Sequence, residues 1–143
     1  MRKHAVYLPL LAVLVFACAG AAPNILNVQA GPMGVISRQI EINDRFIERN
    51  ISFGEVSIKP LDSAGMFEAQ VILSNISERD VAFEYRFIWY DVRGFELSQV
   101  TSWLPAVLGA KEARGFRSTN PNAAATSFKL MVRNPQPVTP TRS

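Results

Sequence analysis

From Val81 to Asp91 the residues alternate in a way that only an extended chain can use. Val81, Phe83, Tyr85, Phe87 and Trp89 fall on one side, and Ala82, Glu84, Arg86, Ile88 and Tyr90 on the other. A helix would scatter those rings around its circumference, whereas successive side chains of a strand point to opposite faces, so every second residue shares one. Met66 to Asn75 repeats the pattern with Phe67, Ala69, Val71 and Leu73. Ser127 to Arg133 repeats it with Phe128, Leu130 and Val132 inward and Lys129, Met131 and Arg133 outward. Aromatic and β-branched residues at this spacing fit a half-buried pleated surface.

Weaker strand patterns cover Arg38 to Ile42, Ile51 to Lys59, Phe95 to Thr101 and Ala113 to Ser118. Asn75 to Asp80 and Asp91-Val92-Arg93-Gly94 supply turn residues between the clearest strands. No long 3.6-residue stripe competes, and helix is limited to a connector around Arg45 to Arg49. The expected fold is all-β: an antiparallel immunoglobulin/fibronectin-III-like β-sandwich of about seven strands.

The N-terminus carries an address. Arg2 and Lys3 precede an uncharged, mostly aliphatic run from Ala5 to Phe16, and small residues then lead to Cys18, the single cysteine. A positive start, an apolar middle and a small-residue exit describe a bacterial export signal. The exit Val15-Phe16-Ala17-Cys18 resembles the lipobox of bacterial lipoproteins, which implies cleavage before Cys18 and acylation of its thiol; Phe16 departs from the small or hydroxylated residue usual there. Two other readings stay open. Ordinary signal peptidase could cut near Ala19-Gly20-Ala21, or Ala5 to Ala22, with 18 uncharged residues, could remain as a helix near the lower limit for a membrane span. All three place the downstream domain outside the cytoplasm. Ala19 stands where an aspartate would mark inner-membrane retention, which points to the inner leaflet of the outer membrane, facing the periplasm.

The chain is therefore expected to divide into a leader at 1–17, a flexible tether at 18–34 after lipidated Cys18, a β-sandwich at 35–133 and a proline-rich, disordered tail at 134–143. Pro23, Gly31, Pro32 and Gly34 mark the tether; Pro135, Pro137 and Pro140 mark the tail.

Removing the leader changes the chemistry. The formal charge of +3 includes Arg2 and Lys3, so the 126 residues from Cys18 onward are nearly neutral. The only histidine, His4, is lost as well. Without histidine or a free thiol the mature chain has no Ser-His-Asp or Cys-His catalysis and no histidine or cysteine metal site. Neither a paired-carboxylate motif nor a Gly-rich phosphate loop is found, so no enzyme and no cofactor is expected. A single cysteine also rules out an internal disulfide, leaving stability to packing.

Two features are candidates for recognition. Trp103-Leu104-Pro105-Ala106-Val107-Leu108 is an apolar run interrupted by proline, and reads either as an edge strand packed over the core or as a docking site built on Trp103, Leu104, Val107 and Leu108. Charge is also uneven: residues 18–100 balance at −4 and residues 101–143 at +5. If Ala113 to Ser118 neighbours Ser127 to Arg133, then Arg114, Lys129 and Arg133 share a basic face suited to acidic groups of lipid or peptidoglycan. The plainer reading pairs them across strands with Glu84 and Glu68. Nucleic acid is a poor partner for a near-neutral exported chain.

Asn75-Ile76-Ser77, the run Tyr85-Arg86-Phe87-Ile88-Trp89-Tyr90-Asp91-Val92-Arg93-Gly94 and Trp103-Leu104-Pro105, followed by Pro121-Asn122-Ala123 and Phe128-Lys129-Leu130, resemble the YcfL-type family of bacterial lipoproteins. The likeness covers roughly Ile51 to Arg133; Gly109 to Thr126 fits it less well. It implies a periplasm-facing, immunoglobulin-like lipoprotein domain of unknown function and carries over no catalytic residue. The expected function is that of a non-enzymatic envelope lipoprotein, anchored to the membrane through Cys18, that binds another envelope protein or the cell wall. The alternatives are an accessory component of an outer-membrane assembly and, more weakly, a carrier of an apolar ligand between the sheets.

Overall fold

The computed structural model describes residues 22–31, 33–61, 65–97 and 102–137. Among them run β1 (Asn24–Gly31), β2 (Gly34–Glu41), α1 (Arg45–Asn50), β3 (Ile51–Pro60), β4 (Phe67–Asn75), β5 (Val81–Asp91), β6 (Leu104–Leu108), β7 (Ala113–Thr119) and β8 (Ala125–Arg133). These strands form two antiparallel sheets, one of five strands in the order β2-β1-β8-β5-β6 and one of three in the order β3-β4-β7. The molecule is a β-sandwich with eight strands and one short helix.

Alternation decides what lies between the sheets. Leu26, Val28 and Ala30 of β1, Ala69, Val71 and Leu73 of β4, Phe83, Phe87 and Trp89 of β5, and Phe128, Leu130 and Val132 of β8 are all buried. Aromatic rings form a continuous chain within this layer. Trp89 packs on Phe128 with centroids 4.9 Å apart and on Phe67 at 5.5 Å; Phe87 meets Phe128 at 5.7 Å, and Tyr85 meets Phe116 at 4.7 Å. Such tilted and edge-on pairs add about 0.5–1.5 kcal/mol each beyond the area they bury. The indole of Trp89 also donates from Nε1 to Ser118 Oγ at 2.9 Å, tying the wide sheet to the narrow one.

Three buried asparagines hold the corners. Asn24 donates from Nδ2 to the carbonyl of Asp44, while its Oδ1 accepts from the N–H groups of Asn43 and Asp44. Asp44 then caps α1, its Oδ1 accepting from the N–H groups of Phe46 and Ile47. Asn75 donates from Nδ2 to the carbonyls of Arg79, Leu108 and Gly109 and accepts the N–H of Ser77. Asn120 accepts the N–H of Phe67 and donates to the carbonyls of Gly65 and Asn122. Each side chain acts as a local substitute for strand pairing, satisfying turn backbone that the sheets cannot reach.

Three expectations are corrected. The tether proposed for 18–34 is largely structure: Asn24–Gly31 is β1, and the sandwich begins there instead of at residue 35. The reason is alternation, because Leu26, Val28 and Ala30 fill the core while Ile25, Asn27 and Gln29 point away from it. The tail proposed for 134–143 begins tied down: Asn134 Nδ2 donates to Asp44 Oδ2 at 2.8 Å, and the N–H of Gln136 donates to Glu84 Oε1 at 3.1 Å. Phe95 to Thr101 is not a strand over its described part, which makes one bridge, Glu96 with Tyr90; residues 98–101 lie outside the described residues. β6 forms one edge of the wide sheet, in line with the edge-strand reading of Trp103 to Leu108, and β2 forms the other.

Two outcomes follow from this packing. A chain starting at residue 35 is expected to fail to fold, whereas one starting at residue 22 folds; far-ultraviolet circular dichroism with urea titration separates them. Asn75→Ala removes a donor from three turn carbonyls and is expected to lower stability by roughly 2–3 kcal/mol, read as a shifted urea midpoint at unchanged slope.

Candidate functional site

The outward face of the five-stranded sheet is where side chains of distinct chemistry converge. Register fixes its rows. Ser37, Gln29, Ser127 and Tyr90 stand opposite one another across β2, β1, β8 and β5, and Gln39, Asn27, Lys129 and Ile88 form the next row. Around these two rows lies an open groove of about 570 Å³, walled at one end by Gly94 of the turn after β5. That turn is built by Asp91, whose Oδ1 accepts from the N–H groups of Arg93 and Phe95, and it needs Gly94 at φ 83°. Asp91 and Gly94 are thus turn residues that set one wall.

Amide and hydroxyl residues line the groove with Tyr90, and the charged residues of its lining are Arg38 and Lys129. Ser37 Oγ donates to Gln29 Oε1 at 3.2 Å, and Lys129 Nζ lies 5.3 Å from the centroid of the Tyr90 ring. Among the described residues Lys129 makes no ion pair. The Tyr90 hydroxyl ionises above its usual 10.0; burial is the largest cause, Glu96 adds to it and Arg86 opposes it.

Towards the other end of β5 the face carries an arginine–tryptophan stack. The Arg133 guanidinium carbon lies 3.9 Å from the centroid of Trp103 and that of Arg86 lies 4.7 Å from it. Arg133 also pairs with Glu84, Nε to Oε1 at 3.1 Å, on the neighbouring strand. Arg86 Nε is buried and finds no hydrogen-bond acceptor among the described residues.

The residues singled out in the sequence are only partly assembled here. Lys129, Arg133 and Trp103 share this face. Arg114 does not: β7 pairs with β4 in the narrow sheet, not with β8, so the basic face of three is corrected to two. Arg114 stands opposite Leu73 and reaches over the seam between the sheets, donating from Nη2 to the Val107 carbonyl at 3.1 Å and to Glu112 Oε2 at 2.7 Å. The Gly109 N–H, then Arg114, hold the Glu112 carboxyl below its usual range. Arg38 of β2 does the equivalent at the opposite seam, donating to the carbonyls of Gly54 and Phe53 at 2.6 and 3.3 Å.

The apolar run is split by its own alternation. Leu108 is fully buried and belongs to the core, so it is corrected out of any docking patch, while Leu104 and Val107 stay about half exposed on opposite sides of β6. Pro105 sits on an edge strand, where a missing donor is tolerated. Cys18 lies outside the described residues. Sequence reasoning missed Asn27 and Gln29, which fell inside the presumed tether, Gln39, which fell in a weak strand, and Ser37, which stood just before that strand.

A second opening, about 370 Å³, lies at the far end of the sandwich among Ala30, Ile58, Met66, Phe67 and Ala125. Among the described residues no group of three or more histidine, cysteine, aspartate or glutamate side chains could hold a metal ion, and no helix is long and apolar enough to cross a membrane.

The electrostatics of the face can be checked by alkaline titration. Glu96→Gln is expected to lower the Tyr90 midpoint yet leave it above 10.0, since burial remains; phenolate absorbance reads this directly. The sign is fixed by linkage. A tyrosine whose folded midpoint is raised contributes stability below pH 10.0 that is lost as the pH climbs through the folded midpoint. Glu96→Gln should therefore narrow that loss to a smaller alkaline window.

Comparisons place this architecture among known proteins. The crystal structure of a DUF1425 family member from Shewanella sp. pv-4 superposes with a TM-score of 0.55 at 21% identity, covering 78% of this chain and 98% of that one. The crystal structure of Campylobacter jejuni cj0090 aligns at 21% identity over 58% of this chain and 85% of that one, with a TM-score of 0.48. No curated protein matches. A family model described as a protein of unknown function matches residues 38–134, from within β2 to just past β8, and by that match the chain belongs to the DUF1425 family.

Proposed function

We propose that this protein is a non-enzymatic binding module of the cell envelope, anchored through acylated Cys18 as in YcfL-type lipoproteins, and that the outward face of its five-stranded sheet is the recognition surface. One observation carries the reading: four adjacent strands line up amide, hydroxyl and phenol side chains around the same groove, with Lys129 as the ammonium among them. A face that only meets water is typically covered with charged side chains. Recognition surfaces are instead depleted of charge at their centres and enriched in tyrosine, tryptophan and arginine, and all three occur on this sheet.

The chemistry suits a partner that is itself dense in hydrogen-bonding groups and carries carboxylates. Asn27, Gln29 and Gln39 offer donors and acceptors together, and an ammonium without a carboxylate partner favours an anion. An envelope protein or the peptidoglycan of the cell wall fits that description. The carrier alternative draws less support, since aromatic rings fill the space between the sheets and the apolar opening is confined to one end.

A photo-crosslinking residue placed in cells at Gln39 or Ser127 is expected to capture an envelope component, whereas one at Gln70 on the narrow sheet captures none. Equal capture at all three positions would overturn the assignment of the face. Cys18→Ser is expected to move the protein from the membrane to the soluble fraction; retention in the membrane would instead indicate an uncleaved N-terminal helix.

A further inference from the structure

The strand β1 changes what an anchor at Cys18 can do. Asn24, its first residue, lies six residues beyond Cys18. A fully extended chain gains at most about 3.3–3.6 Å per residue, so this link spans about 20 Å and no more. Asn24 is itself buried and hydrogen-bonded into the turn that leads to α1, so the link cannot lengthen without breaking that corner. An acyl anchor at Cys18 would therefore keep one end of the sandwich within about 20 Å of the bilayer: the end holding the start of β1, α1 and the turn between β4 and β5.

Large apolar side chains exposed at that end include Ile42, Phe46 and Ile76, with Phe46 the most exposed at 55%. They sit on connected backbone. Asn50 Nδ2 donates to the Phe46 carbonyl at 2.7 Å, and the Ile76 N–H donates to the Asn50 carbonyl at 2.9 Å. The short helix buries Ile47 alone and leaves Phe46 to solvent. Exposed apolar residues also occur at the far end, Val92 and Phe95 among them, so exposure alone does not single out Phe46. The length of chain between Cys18 and Asn24 does.

We propose that the α1 end of the sandwich is a second membrane contact, in which Phe46, with Ile42 and Ile76, enters the interfacial layer of the phospholipid bilayer that holds acylated Cys18. The inference rests on that acylation. Apolar side chains at an interface bind in proportion to the area they bury, and a neighbouring lipid anchor removes the cost of finding the surface. The strands then stand along the membrane normal.

The test uses the acylated full chain in vesicles of phosphatidylethanolamine and phosphatidylglycerol. Acylation consumes the only native thiol, so Phe46→Cys and Val92→Cys each offer a single site for an environment-sensitive fluorophore. The expected result is blue-shifted emission at position 46, quenched several-fold by nitroxide-labelled lipid, with aqueous emission and no quenching at position 92. Vesicle-bound protein with an aqueous probe at 46, or a quenched probe at 92, would overturn the proposal while leaving the anchor in place. A reactive Cys18 thiol in protein that does not float with vesicles would overturn the anchor and the docking together.

Discussion

β1 is hydrogen-bonded on both edges, to β2 and to β8, and the other parts of the wide sheet are arranged around that double pairing. Among the described residues it is the only strand paired with β2. Without it, β2 detaches and Arg38 loses the position from which it bonds the carbonyls of β3 across the seam. Leu26, Val28 and Ala30 leave the core facing Phe128, Leu130 and Val132. Asn24 no longer secures the corner that begins α1. The groove depends on β1 as well, since Asn27 and Gln29 are its middle.

Strands with strong alternation were legible in the sequence. β5 has the bounds read from its rings, and β3, β4, β7 and α1 differ from their sequence readings by a residue at one end. Alternation works there because both faces differ sharply: aromatic inside, charged or polar outside. β1 also alternates, Leu26-Asn27-Val28-Gln29-Ala30, but it stands between Pro23 and Gly31-Pro32, and flanking turn residues outweighed a weaker signal. The short β6 was readable as an apolar run broken by proline, either an edge strand or a docking site. Its role as an edge strand depends on pairing with β5 across a loop, which is a non-local fact.

Sheet order was the other illegible quantity, and it decided the candidate site. Arg114 and Lys129 are close in sequence, yet one lies in the narrow sheet and the other in the wide one. The basic excess of residues 101–143 is consequently dispersed. Arg133 is neutralised by Glu84 on the adjacent strand, Arg114 is taken up by Glu112 and a seam carbonyl, and Arg117 bonds Gln70. Cross-strand pairing, the plainer expectation, accounts for Arg133. Lys129 is different because its neighbours across the strands are Asn27 and Ile88, neither of which carries a charge to meet it. Strand order thus decides which cation of a basic stretch is left without a carboxylate partner among the described residues.

The two features of the outward face also differ in height along the strands. The Trp103 stack joins the end of β8 at Arg133, beside the start of β1, whereas Ser127 and Tyr90 lie about 20 Å further along at the usual rise of a strand. Under the proposed acylation of Cys18, six residues before Asn24, the arginine–tryptophan stack would lie nearer the headgroups than the groove does. A long tether would have erased that distinction by letting the domain tumble. Under that anchoring a short link would make height along the strands a determinant of what each feature can meet, the stack near the membrane and the groove further from it.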